Sequence, residues 1–245
     1  MHGFLRRYET DTTAPDAREV RRDLLRRLLL PAAALWCVVV GLGLLVTGPL
    51  GNLPAEAAVN EWFVAQRTPA LDAVTTALSA IGQTEFLIGA CLLGIALTWW
   101  RTRRWWYAVV PGLAVATQAV IFLTSALVVG RERPEVEQLD HAPPTSSFPS
   151  GHTGAAAAFY LTLALQAQRV SHPVLRWVLT VLCALVPVAV GVARAYRGMH
   201  SLSDVVVGLL NGATCAVLAW SYLRRSPDPR GRGDVRDGEL ARLRW

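Results

Sequence analysis

Lysine is absent from this chain; all 24 basic residues are arginine. Charge of either sign is scarce, at 17% of residues against roughly 25% in ordinary soluble proteins. There are four cysteines, Cys37, Cys91, Cys183 and Cys215, each inside an apolar stretch and none in C-x-x-C spacing. That pattern excludes a zinc ribbon or a dithiol redox centre and leaves the thiols as small buried hydrophobes, with neither disulfides nor metal ligands expected. The net charge of +6 does not signal nucleic acid, because the arginines flank apolar stretches instead of forming one basic face.

What the chain has in abundance is hydrophobic residues, 53% of the total, in blocks near the roughly 20 residues that cross a bilayer. The expected fold is all-α: a six-transmembrane-helix bundle with spans near 28–46, 85–100, 107–129, 151–168, 178–195 and 204–223. Two short amphipathic helices, 55–66 and 71–81, follow the first span. Thr68-Pro69 separates them, since proline starts a helix more readily than it continues one. Both are too short to cross and are expected on the outer surface. Residues 1–27 read as a cytoplasmic tail, helical near its end, 28–223 as the six-span domain, and 224–245 as a disordered cytoplasmic tail.

Six spans put both termini on one side. That side carries nineteen arginines and the other five, so the positive-inside rule makes the termini cytoplasmic. All-arginine usage fits a GC-rich bacterial coding source, and the expected location is the inner (plasma) membrane. Four of the five outer arginines fall in the loops at 130–150 and 194–203, against the topological bias. They need another reason to be there.

Those loops hold Arg133-Pro134, Pro149-Ser150-Gly151-His152, and Arg194 followed by His200 and Asp204. A phosphoryl group in transit carries charge on its equatorial oxygens, so its catalysis is chiefly positioning and electrostatics. Arginine forks match phosphate geometry and stay charged. Ser150-Gly151 stands where a helix should begin, with backbone N–H groups directed at an anion and no side chain at the glycine to keep it away. His152 in that first turn reaches a leaving oxygen. His200 and Asp204 are spaced i, i+4, so a helical start to the last span would stack them, the carboxylate fixing the imidazole tautomer and leaving the other nitrogen free to attack.

In order and spacing these motifs resemble the type 2 phosphatidic acid phosphatase superfamily, which also contains vanadium-dependent haloperoxidases. The resemblance covers about residues 55–220. It implies that His200 is the nucleophile, forming a phosphohistidine, that Asp204 orients it and that His152 protonates the leaving oxygen. Arg133, Ser150, Gly151 and Arg194 would hold the phosphate, with no metal and no other cofactor. The implied activity is hydrolysis of a lipid phosphate or the terminal phosphate of a lipid diphosphate at the extracytoplasmic face. Undecaprenyl diphosphate is the favoured substrate, and phosphatidic acid or phosphatidylglycerol phosphate the alternative. Soluble haloperoxidase chemistry is disfavoured by the spans. A catalytically impaired lipid-phosphate binder or transporter is the rival from another class.

Two positions depart from the family pattern. Ala126 stands where the first motif usually has lysine, and Ala193 where the third usually has serine. The missing lysine removes a charge-assisted contact of about 1.5–3 kcal/mol. Arg197 and, less readily, Arg131 are candidate replacements in phosphate binding; the alternative is that they only anchor the outer interface. Glu137 and Asp140 read as solvated loop charges. Thr117, Gln118, Ser125 and Asn211 are polar groups at membrane depth, expected to face the bundle interior. Gly208-x-x-x-Gly212 reads as a small-residue packing face inside the bundle, with a homodimer contact as the alternative.

Overall fold

The computed structural model describes residues 5, 8, 12–142 and 144–223. The tail expected at 224–245 and most of the first eleven residues lie outside the described residues. The described chain is helical. Helix α1 (Ala17–Leu24), capped by the Asp16 carboxylate on the Glu19 amide at 2.7 Å, runs through a π-helical turn at Leu25–Leu29 into α2 (Leu30–Thr47). Then come α3 (Ala55–Ala65), α4 (Pro69–Ala80), α5 (Thr84–Thr102), the short α6 (Trp105–Ala108) and α7 (Val110–Val129). A long irregular loop leads to α8 (Gly151–Ala167), followed by α9 (Pro173–Tyr196) and α10 (Leu202–Trp220). Local chemistry sets the boundaries. Pro69 and Pro173 each open a helix behind a capping side chain, Thr68 and His172, and Ser201 with Asp204 forms a reciprocal capping box on α10.

Four stretches are long and apolar enough to cross a membrane: 17–47, 110–129, 173–196 and 202–220. A fifth arises if α4 and α5, bent by 47° at their junction, count as one broken span. The expected six is therefore not reached on length and composition. The shortfall is α8, whose 17 residues reach about 26 Å, just under the ~30 Å hydrocarbon core. It is the central helix, packed on α7, α9 and α10, and Ala156, Ala157, Ala158 and Phe159 are all buried. A helix sheathed by other helices has little lipid to face and needs less hydrophobicity.

Helix α4 packs on α9 through one side, where Thr75 and Ser79 are buried, while Leu71 and Val74 stay exposed.

The tightest contact in the bundle is between α8 and α10. A Cβ on Gly208 would lie 2.6 Å from the Ser150 carbonyl oxygen, and one on Gly212 would overlap the carbonyl oxygen of Gly154. The glycine face is thus filled from within the chain. Gly212→Ala is expected to lower the thermal unfolding midpoint in detergent, at a cost of about 1–3 kcal/mol for overpacking. Gly89→Ala, where an added Cβ meets nothing within 4 Å, should leave the midpoint unchanged. Equal losses at both positions would refute this account.

Candidate active site

His152 occupies the first turn of α8, behind the N-cap Ser150 and a cis Phe148-Pro149 peptide. His200 sits between α9 and α10, in a turn reversed at Gly198 (φ +71°), where a side chain would meet the Glu137 carbonyl at 2.6 Å. Both imidazoles line one cavity of about 280 Å³ together with Arg133, Arg194, Thr145, Ser146 and Gly151. Its other wall is apolar, formed by Leu87, Ile88, Val115, Phe122 and Leu123 from α5 and α7.

His200 precedes α10, so the helical stacking expected for His200 and Asp204 does not occur. The His200 Nδ1–H donates to the Ser147 carbonyl oxygen at 2.8 Å, whereas Asp204 Oδ2 is 3.8 Å away. The carboxylate acts at one remove: the Ser147 hydroxyl donates to Asp204 Oδ2 at 2.6 Å, pinning the segment whose carbonyl orients the ring. With Nδ1 bonded in this way, Nε2 is the free nitrogen. Burial holds His200 below the ordinary imidazole range, although the Asp204 charge pulls the other way.

The four loop arginines divide into two pairs. Arg131, offered as a phosphate ligand, is instead committed to the protein. Its fork meets Asp204 Oδ1 at 2.6 Å, the Ser203 hydroxyl at 2.7 Å, and Glu56 Oε2 and the Asn52 carbonyl at 2.9 Å each. Arg197, offered in the same role, is clamped by Asp140 through Nη2 at 2.6 Å and Nε at 2.9 Å, with Thr76 on its third nitrogen at 2.9 Å. Neither lines the histidine cavity, and neither stands in for the lysine missing at Ala126, which is buried in α7. Arg133 and Arg194 do face the cavity. Arg133 donates to the Met199 carbonyl at 2.8 Å. Arg194 uses Nη1 for Ser79 at 2.9 Å and Asp140 at 2.7 Å, while its buried Nε has no partner.

Asp140 is therefore no solvated loop charge. Burial pushes its carboxyl up, but the Arg197 and Arg194 guanidiniums more than offset this and hold it below the usual carboxylate range. Glu137, largely exposed, pairs with Arg67 at 3.3 Å. Ser150, expected to touch phosphate, is fully buried; its hydroxyl is 2.8 Å from that of Thr153 and its amide donates to the Asp204 carbonyl at 2.9 Å. Gly151 borders the cavity, and the ring of Phe122 occupies the space a side chain there would need. Sequence reasoning missed Ser147, Glu56 and Ser79. A backbone carbonyl acting as orienter leaves no residue-type signal. The surplus of outer arginines did, however, call for partly buried acids such as Glu56 and Asp140. Among the described residues no three His, Cys, Asp or Glu side chains converge as a metal-ligand set.

The two kinds of arginine should separate experimentally. Arg131→Gln leaves Asp204 and Glu56 without their cation and is expected to cost about 3–5 kcal/mol of stability, read as a drop in thermal midpoint. Arg133→Gln should leave the midpoint near wild type and abolish the stabilisation that inorganic phosphate or vanadate confers. The reverse pattern would sink the division.

Residues 105–228 match the PAP2 superfamily. Phosphatidylglycerophosphatase B of Bacillus subtilis (strain 168) is 28% identical over 163 residues, covering 64% of this chain and 78% of that protein. Among solved structures, the transmembrane PAP2-type phosphatidylglycerolphosphate phosphatase from Bacillus subtilis aligns with a TM-score of 0.66 at 23% identity, over 78% of this chain and 92% of its own. Aquifex aeolicus LpxE aligns at 0.52 and 24% identity, over 66% and 92%. At such identities the structural likeness speaks for the fold. The matched segment holds every residue that lines the cationic side of the cavity, and it covers half of the sequence: this integral membrane protein belongs to the PAP2 superfamily.

Proposed function

We propose that the protein hydrolyses the terminal phosphate of a membrane lipid, with His200 as nucleophile and His152 as proton donor. The observation that carries this reading is a single cavity with two imidazoles and two guanidiniums on one side and hydrocarbon on the other. Phosphate belongs on the first side and a lipid chain on the second.

In the first step His200 Nε2 attacks phosphorus while the bond from phosphorus to the lipid oxygen breaks. His152 gives that oxygen its proton, and a lipid alcohol leaves. In the second step water attacks the phosphohistidine, His152 takes the proton, and inorganic phosphate departs. Arg133, Arg194 and the first-turn amides of α8 bind the charge on the equatorial oxygens throughout. The excess of arginine on the side of the termini supports a cytoplasmic location for both ends and an extracytoplasmic site in the plasma membrane.

Undecaprenyl diphosphate, favoured on sequence, gives way to phosphatidylglycerol phosphate or phosphatidic acid. The reason is that a relative covered over most of its length carries the name phosphatidylglycerophosphatase.

Purified wild type should release inorganic phosphate from these lipids, and His200→Ala should lose at least a thousandfold in kcat. With an aryl phosphate, whose leaving group needs no acid, His152→Ala is expected to accumulate acid-labile phosphoenzyme, and His200→Ala none. Absence of turnover by wild type on every lipid phosphate tried would favour a non-catalytic binder.

The pH profile gives a separate check. Nucleophilic attack needs neutral His200, and its proton affinity is depressed by burial. The acidic limb of activity that reports this group, corrected for the substrate's own ionisation, should therefore lie below pH ~6.5. A limb above that value would contradict the assignment.

A further inference from the structure

The arginines at the two ends of the bundle are used differently. Those beside the histidines are held by acids, Arg131 by Asp204 and Glu56, Arg194 and Arg197 by Asp140. On α1, Arg18, Arg21 and Arg26 are exposed and, among the described residues, their side chains make no hydrogen bond or ion pair. Arg22 meets only its neighbour Asp23, at 3.1 Å, and its side chain is 54% exposed. These guanidiniums repel one another at i, i+3 and i, i+4, and the protein supplies little to offset that.

Packing fixes which side of α1 carries the charge. Val20 and Leu24 lie against the cluster of Tyr8, Trp106, Tyr107 and Trp220, in which Leu28 of the following π-helical turn is buried. With roughly 100° between successive residues, Arg18, Arg21, Arg22 and Leu25 then share an arc of about 100° on the other side. The charged strip gives way to hydrocarbon within one turn, where Leu25, Leu29 and Leu30 are about half exposed. Exposed Trp105, next to the buried Trp106 of that cluster, marks the same level as a membrane interface. Trp220 stands at the far end of α10 from His200, across 19 residues of helix or about 28 Å. The strip therefore lies at the opposite membrane face from the candidate active site.

A partner for this strip must offer negative charge at the level of the arginines and hydrocarbon at the level of the leucines. An anionic glycerophospholipid carries both on one molecule, whereas an acidic protein segment carries only the first. We propose that α1 is a binding surface for anionic phospholipids of the leaflet opposite the active site, its arginines taking the phosphodiesters and Leu25, Leu29 and Leu30 lying along the acyl chains. Bound phosphodiesters relieve the repulsion within the strip and so stabilise the helix that carries it. Nothing in this surface depends on the chemistry at the other end.

Thermal midpoints of the purified full chain in neutral detergent provide the test. The added lipid is dioleoyl phosphatidylglycerol, a phosphodiester with no terminal phosphate to hydrolyse, or dioleoyl phosphatidylcholine. Phosphatidylglycerol should raise the midpoint by about 4 °C more than phosphatidylcholine does, and salt at roughly 0.5 M should remove most of the difference. Arg18→Gln, Arg21→Gln, Arg22→Gln and Arg26→Gln combined should weaken the apparent affinity on the order of a hundredfold, while lysine at the same four positions retains most of it. Equal midpoints with the two lipids would overturn the proposal with no variant needed. A phosphatidylglycerol effect that survives in the glutamine variant, or that orthovanadate abolishes, would place the lipid elsewhere and overturn it too. So would an equal effect of polyglutamate, which would make the strip a surface for acidic proteins.

Discussion

Burying a guanidinium at a membrane boundary requires a counter-charge, and two acids on this face have more than one claimant. Asp204 holds Arg131 with one oxygen and the segment behind His200 with the other, and Asp140 holds Arg197 and Arg194 together. Desolvated charges in a low-dielectric region tolerate few unmet partners. Once those acids are committed, Arg133 and the Nε of Arg194 remain to meet an incoming anion. The proposed phosphate site is thus defined by the carboxylates that are already in use as much as by the arginines that are left.

The same bookkeeping explains why Asp204 stands 3.8 Å from His200 Nδ1, beyond hydrogen-bond distance. Asp204 caps α10 through the Ser201 amide, neutralises Arg131 and receives the Ser147 hydroxyl. A carboxylate so engaged reaches His200 chiefly as an anchor for the Ser147 carbonyl. Glu56 extends the brace outward, linking α3 to Arg131 and to the Ser203 amide at 2.5 Å. A helix that looks peripheral in the sequence is thereby tied to the chemistry.

Much of this was legible in the sequence. The motif histidines, Arg133 and Arg194 converge on one cavity, as the order Arg-Pro, Pro-Ser-Gly-His and Arg-x5-His-x3-Asp implied, and the α7 and α10 positions followed from hydrophobic length. The failures have physical causes. Helical periodicity was extended to His200, which lies in a turn set by Gly198. Arg131 and Arg197 were weighed as cations without their partners, because charge pairing across 57 to 75 positions leaves no local trace. Length and composition alone reach four spans, or five with the bent pair, because α8 meets mostly protein and carries less hydropathy than a lipid-facing helix. Gln118 was noticed as an interior polar group; that its Nε2 lacks a partner only coordinates could say.

The backbone contact of α8 with α10 through Gly154 and Gly212 has a further consequence. One of these helices carries His152 and the other begins just after His200, so the spacing of the two imidazoles is gauged by main-chain atoms, which have no rotamers to explore. Exposed apolar side chains such as Leu127, Leu92 and Trp177 stand outside that gauge. The outer surface is consequently free to drift with the thickness and composition of its bilayer while the interval between the two imidazoles stays constant.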